Sequence, residues 1–77
     1  MIKLNKEVVY VNSMAISKAE YDYGNEILDL KFNDGKTYSY IGVSTNTFLS
    51  MKYAESIGKF INKQIIKANK YEYAYKK

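Results

Sequence analysis

The chain has 77 residues, a formal net charge of +4 and a hydrophobic fraction of 47%, which indicates one small domain. Cysteine and histidine are both absent, which excludes a disulfide framework, a zinc site of the usual kind, a thiol nucleophile and the usual imidazole general base. A domain this short buries only about 60% of its unfolded surface, so stability must come from a well-packed core, for which nine tyrosines are available, or from association into a homo-oligomer that hides apolar surface.

All twelve basic residues are lysines. Without the arginine fork, sequence-specific readout of DNA is disfavoured, although anions are still attracted. The opening M-I-K-L-N-K-E has no signal-peptide run. No stretch approaches the roughly 20 apolar residues of a membrane span. The expectation is a cytoplasmic protein without a membrane partner.

In chain order, V-V-Y-V-N (8–12) is a short first strand or an ordered lead-in to the next one. A-I-S-K-A-E-Y-D-Y (15–23) alternates, placing Ala15, Ser17, Ala19, Tyr21 and Tyr23 on one face and Ile16, Lys18, Glu20 and Asp22 on the other. Gly24-Asn25 marks a turn. E-I-L-D-L-K-F (26–32) alternates more cleanly, and K-T-Y-S-Y-I-G-V (36–43) is its return strand after Asp34-Gly35. A two-residue loop here would put Tyr38 and Tyr40 opposite Leu28, Leu30 and Phe32, as an exposed platform. A three-residue loop with a bulge would put both tyrosines on the leucine face, in the core. The core arrangement is favoured, because a small chain needs aromatic bulk inside.

Ser44 or Thr45 is the expected N-cap of a helix over 45–56, with Phe48 and Leu49 packing on the sheet. Gly58 permits a turn before a second helix. On that helix Ile57, Ile61, Ile65 and Ala68 form one stripe, and Lys59, Lys63, Lys67 and Lys70 the opposite one. The lysines either keep an ordinary helix soluble or form a ridge for phosphates. Ile66 falls near the lysine stripe, so it either touches a partner or lies past the helix end. In the tail, Tyr71, Tyr73 and Tyr75 alternate. They suggest a strand added to a sheet edge, in this molecule or a neighbour, or rings that stack on bases. The residues alone thus give three to four strands followed by two helices, in a single domain over 1–77 with a tyrosine-rich extension at 70–77.

Several segments are similar to one known family. They are V-N-S-M-A-I (11–16), Y-D (21–22), L-D-L-K-F-N-D-G-K-T-Y-S-Y (28–40), Val43, Phe48, Leu49, and A-E-S-I-G-K-F-I-N-K-Q-I (54–65). Together they resemble the KTSC domain, a small module named for its occurrence at the C-terminus of some lysyl-tRNA synthetases. The last block is the most specific: Ala54, Ser56, Gly58, Lys59, Phe60, Asn62 and Ile65 fit the pattern A-x-S-x-G-[KR]-[FY]-x-N-x-x-I. The resemblance runs from Ser13 to about Ile65. Ser44 stands where the family usually has proline, and residues 66–77 lie outside the pattern as it is read here. The resemblance implies a compact α+β fold, a small antiparallel sheet of three to four strands followed by two helices packed on one face. It implies no activity, and the synthetase connection hints at RNA. The chain looks like a free-standing copy whose size and composition suit a phage gene.

Among function classes an enzyme is disfavoured, because the scattered carboxylates form no recognisable acid/base pair. No cofactor, metal ligand or catalytic residue is singled out. The first expectation is a binding module in which the start of the second helix accepts a phosphate of a nucleotide or RNA. Ser56, Gly58, Lys59, Asn62 and Lys63 would form the site and Tyr53 would stack on a base. A phage copy would then act in counter-defence by sequestering a signalling nucleotide. The same block also reads as purely structural, with Ser56 as a cap and Gly58 there for a positive φ or close helix packing. The alternative function is a protein-interaction module, or an inhibitor of a host defence complex, using Ile66, Tyr71, Tyr73 and Tyr75 to contact a host protein.

Overall fold

The computed structural model describes residues 5–76. The opening residues 1–4 and Lys77 lie outside the described part. Strands β1 (Lys6–Tyr10), β2 (Ile16–Asp22), β3 (Ile27–Phe32) and β4 (Thr37–Ile41) are followed by helix α1 (Thr45–Lys52), helix α2 (Ile57–Phe60) and a final strand β5 (Glu72–Lys76). Helix α2 runs directly into a π-helical segment, Ile61–Ile66. The sheet order is β1-β2-β3-β4-β5, with every neighbouring pair antiparallel. The fold is therefore α+β, as expected, but the sheet has five strands over the described residues and not three to four. The additional strand is the tyrosine tail, which pairs with β4 in its own molecule from Thr37↔Lys76 to Ile41↔Glu72.

The β3–β4 hairpin takes the three-residue form. Phe32 N–H donates to Lys36 O at 2.8 Å and Gly35 N–H donates to Phe32 O at 2.9 Å. Gly35 has φ +91°, a conformation that costs glycine little and other residues a good deal. The resulting register sets Leu28 beside Tyr40 and Leu30 beside Tyr38, so both tyrosines face the core. Tyr40 is only 6% exposed.

One strand face was misread from alternation. The ladder between β2 and β3 shifts between Ile16 and Lys18, and this bulge turns Ile16 to the core side with Ala19 and Tyr21. A strict period of two cannot show such a shift.

Ser44 caps α1, its Oγ accepting from Thr47 N at 3.2 Å. The helix delivers Phe48 and Met51 to the core. Phe48 stacks on Tyr21, with ring centroids 4.3 Å apart and planes within 9°. Tyr21 is fully buried, and its hydroxyl donates to Val43 O at 2.5 Å, so the ring adds apolar bulk without stranding a polar atom. At the β1 end, Glu7 forms an ion pair with Lys52 of α1 and accepts from Tyr23 Oη at 2.6 Å. Among the described residues the opposite face of the sheet carries no helix. There Asp29 accepts from Ser39 Oγ and from Lys76 Nζ, each at 2.6 Å. Among the described residues no helix is long and apolar enough to cross a membrane.

The second helical stretch corrects the wheel drawn from sequence. Ile61 and Ile65 are buried and Ile57 is half-buried, but Ala68 is exposed and past the helical segment. Ile66, off the stripe at 100° per residue, packs against the core. The cause is the π turn: Lys67 N–H donates to Asn62 O at 2.8 Å, five residues back. The wider turn rotates each residue through less than 100°, so Ile65 and Ile66 both stay near the side of Ile61. Lys59, Lys63, Lys67 and Lys70 are exposed, as expected.

Candidate functional site

The block around Gly58 docks on a loop far from it in sequence, the connection between β1 and β2 (residues 11–15). Ser13 organises that loop. Its Oγ accepts from Ile16 N at 2.9 Å and from Ala15 N at 3.2 Å and donates to Ile16 O at 3.1 Å. The β3–β4 turn braces it from behind: Asn33 Nδ2 donates to Ser13 O at 3.1 Å, and Asn33 N–H to Ala15 O at 2.8 Å.

Ser56 caps helix α2, its Oγ accepting from Lys59 N at 3.3 Å. This hydroxyl keeps its own proton free to donate. A side chain on Gly58 would place its Cβ 2.6 Å from Ser13 Cβ, far inside contact distance. Gly58 is thus required by the close approach of helix and loop. It has no positive φ, so of the two structural reasons its sequence position offered, only packing holds.

The approach leaves a groove of about 470 Å³ beside it, lined by Asn12, Ser13, Met14, Ala15 and Ile16 on one wall and Ser56, Gly58, Lys59, Asn62 and Ile66 on the other. The walls are largely apolar, and Met14 is 100% exposed. The polar residues in the lining are Asn12, Ser13, Ser56, Asn62 and Lys59. The first N–H groups of a helix have no intrahelical partner, and Ser56 Oγ occupies only that of Lys59.

Of the six residues expected at a ligand site, the groove gathers Ser56, Gly58, Lys59 and Asn62. Lys63 is exposed but does not line it. Tyr53 sits at the C-cap of α1, 76% exposed, and is absent from the lining. The spacing read from sequence could not show that Tyr53 precedes the loop that separates the two helices. The residues that the sequence reading missed are those of the opposite wall, Asn12 to Ile16. Their signal was present, since V-N-S-M-A-I was one of the similar segments, but nothing in a linear sequence joins it to Gly58.

The four residues expected to contact a partner divide two and two. Ile66 and Tyr71 are half-buried and pack against the core. Tyr73 and Tyr75 are 58% and 54% exposed, on the helix-bearing side of the sheet but beyond the helices. Tyr73 stacks on Tyr40 at 5.2 Å and Tyr75 lies 5.4 Å from Tyr38.

A sequential antiparallel sheet, a capped helix pair on one face and a groove beside a serine–glycine contact define a small α+β domain. The model of the KTSC domain family matches residues 12–75. The chain belongs to the KTSC domain family. The match extends through Tyr75, into the tyrosine-rich tail. A protein from Tsukamurella paurometabola is 44% identical over 52 residues, covering 68% of this chain and 78% of that one. The crystal structure of a KTSC domain protein from Yersinia pestis superimposes with a TM-score of 0.81 at 26% identity, covering 94% of this chain and 99% of that one.

Proposed function

We propose that this chain is a non-enzymatic binding module and that the groove between the Ser13 loop and α2 takes a nucleotide phosphate, free or within RNA. The observation that carries the reading is the presence of Lys59, Asn62 and Ser56 together in the lining of one largely apolar groove. The chemistry fits an amphipathic ligand. The ammonium, the amide and the hydroxyl supply donors for phosphate oxygens, and the free N–H groups at the start of α2 add a favourable dipole. Met14, Ala15 and Ile66 offer surface to a base or sugar. Nothing in the groove resembles an acid/base pair, which favours binding over turnover.

The test is a nucleotide titration of isotopically labelled protein, followed by amide shifts. The panel comprises nucleoside mono-, di- and triphosphates, cyclic nucleotides and a short oligoribonucleotide. Shifts are expected at 12–16 and 56–62. Lys59→Ala should weaken binding about tenfold or more, the worth of one charge-assisted hydrogen bond. Silence across the panel at millimolar ligand would reject the proposal.

A further inference from the structure

Among the described residues, strand β5 ends the sheet on its side, with β4 as its one neighbour. Its five residues pair with β4 in an unbroken register. The strand has no proline and no bulge, two devices by which natural edges block further pairing. Its sequence is also its own complement. Turned end for end about Ala74, the strand sets Glu72 against Lys76, Tyr73 against Tyr75 and Ala74 against itself.

We propose that β5 is a dimerisation edge, on which the β5 of a second copy of this chain adds antiparallel about a twofold axis at Ala74. The inference does not depend on the groove or its ligand. On the helix-bearing side, Tyr75 already lies beside Tyr38 and Tyr73 beside Tyr40. The second copy extends each row, so Tyr38 and Tyr75 continue into Tyr73 and Tyr40 of the second copy. The two rings that are more than half exposed in one molecule gain cross-strand aromatic neighbours. On the open side, Glu72 meets Lys76 of the second copy at both ends of the pairing. Lys76 also holds Asp29, and an ammonium has three donors to share between two carboxylates.

The other edge lacks this property. Reversed about Val8, β1 would set Glu7 against Val9 and Lys6 against Tyr10, and Glu7 is already engaged by Lys52 and Tyr23. Self-pairing at β5 closes a twofold dimer, whereas β5 on β1 would propagate an open filament.

Two measurements decide the matter. The first is crosslinking of Ala74→Cys under mild oxidation. The chain has no cysteine, so a crosslink can form only at position 74. Facing Cα atoms in an antiparallel pair lie about 4.5–5.5 Å apart, within the span of about 4.4–6.8 Å that a disulfide bridges. The expected yield exceeds that of Ser50→Cys, an exposed position on α1, by about tenfold. The second is sedimentation velocity over a concentration series, with circular dichroism as the check on folding. Wild type should double its 8.9 kDa mass as concentration rises. Glu72→Lys or Lys76→Glu alone places like charges at both ends and should weaken the dimer about tenfold at low salt. Mixing the two variants restores both unlike pairs and should restore the dimer. A monomer at every concentration with no crosslink above the control would overturn the proposal. So would a dimer indifferent to both charge variants, or a ladder of higher species.

Discussion

The contact between Gly58 and Ser13 makes a sharp prediction for Gly58→Ala. The new methyl carbon would stand 2.6 Å from Ser13 Cβ, against 3.4 Å where ordinary contact begins. Ser13 cannot rotate away, because the clashing atom is its Cβ and its Oγ is held by Ala15, Ile16 and the Ile16 carbonyl. Helix and loop must therefore separate by most of an ångström. Overpacking of this kind costs about 1–3 kcal/mol. Alanine returns at most about 1 kcal/mol through its better helix propensity, and less in the first turn. A net loss of about 1–2 kcal/mol is expected. For a domain of this size that lowers Tm by roughly 4–8 °C per kcal/mol, readable by thermal denaturation. Repeating the substitution in a Ser13→Gly background removes the obstructing carbon, so Gly58→Ala should there be neutral or stabilising. The coupling between the two sites should be about 1–2 kcal/mol. An unchanged or raised Tm for the single variant, or the same loss in both backgrounds, would refute the close-approach account of Gly58.

Other predictions follow from the core and the β1 end. Tyr21→Phe leaves the buried Val43 carbonyl without its donor and should cost about 1–3 kcal/mol in chemical denaturation with little change in m-value. The Lys52 ammonium, then the Tyr23 hydroxyl, hold the Glu7 carboxyl below its ordinary value. A lowered folded-state value means that the stabilisation is fully present above the ordinary glutamate range, about pH 4.3. It is lost as pH falls through the lowered value. Denaturation midpoints measured between neutral and acidic pH should therefore fall less steeply for Glu7→Gln than for wild type, and parallel curves would count against the assignment.

Local chemistry made much of this fold legible in the sequence. Ser44 was one of two caps expected for α1 and Ser56 a candidate cap for α2, and both act so because each hydroxyl sits where a first-turn N–H needs an acceptor. The Asn33-Asp34-Gly35 turn could be reduced to two registers, and the demand for core volume chose between them. Periodicity failed where the backbone departs from its mean period. The bulge beside Ile16 and the π turn at Ile61–Ile66 each add a residue to a repeat, which moved Ile16 and Ile66 to the core. Half of the groove was legible for a similar reason. Ser56, Gly58, Lys59 and Asn62 lie within one short helical stretch, so spacing groups them. The Asn12–Ile16 wall reaches them only through tertiary packing. The tail could be read as a strand, but the sequence left open which edge it would join.

The order of the strands has a consequence for how the chain becomes a domain. Strands β1 to β4 follow one another along the sheet as they do along the chain, so each pairing closes only a short loop and exacts little chain entropy. Longer-range junctions then remain, among them the Glu7–Lys52 ion pair, the seating of Gly58 on Ser13 and the arrival of β5 at β4. During synthesis, residues 45–66 are made before 72–76, so the four-stranded meander and its helical layer can assemble while the far edge of β4 is still bare. The tyrosine strand then works as a late-arriving seam, which completes the sheet only after the other four strands and the helices have been made.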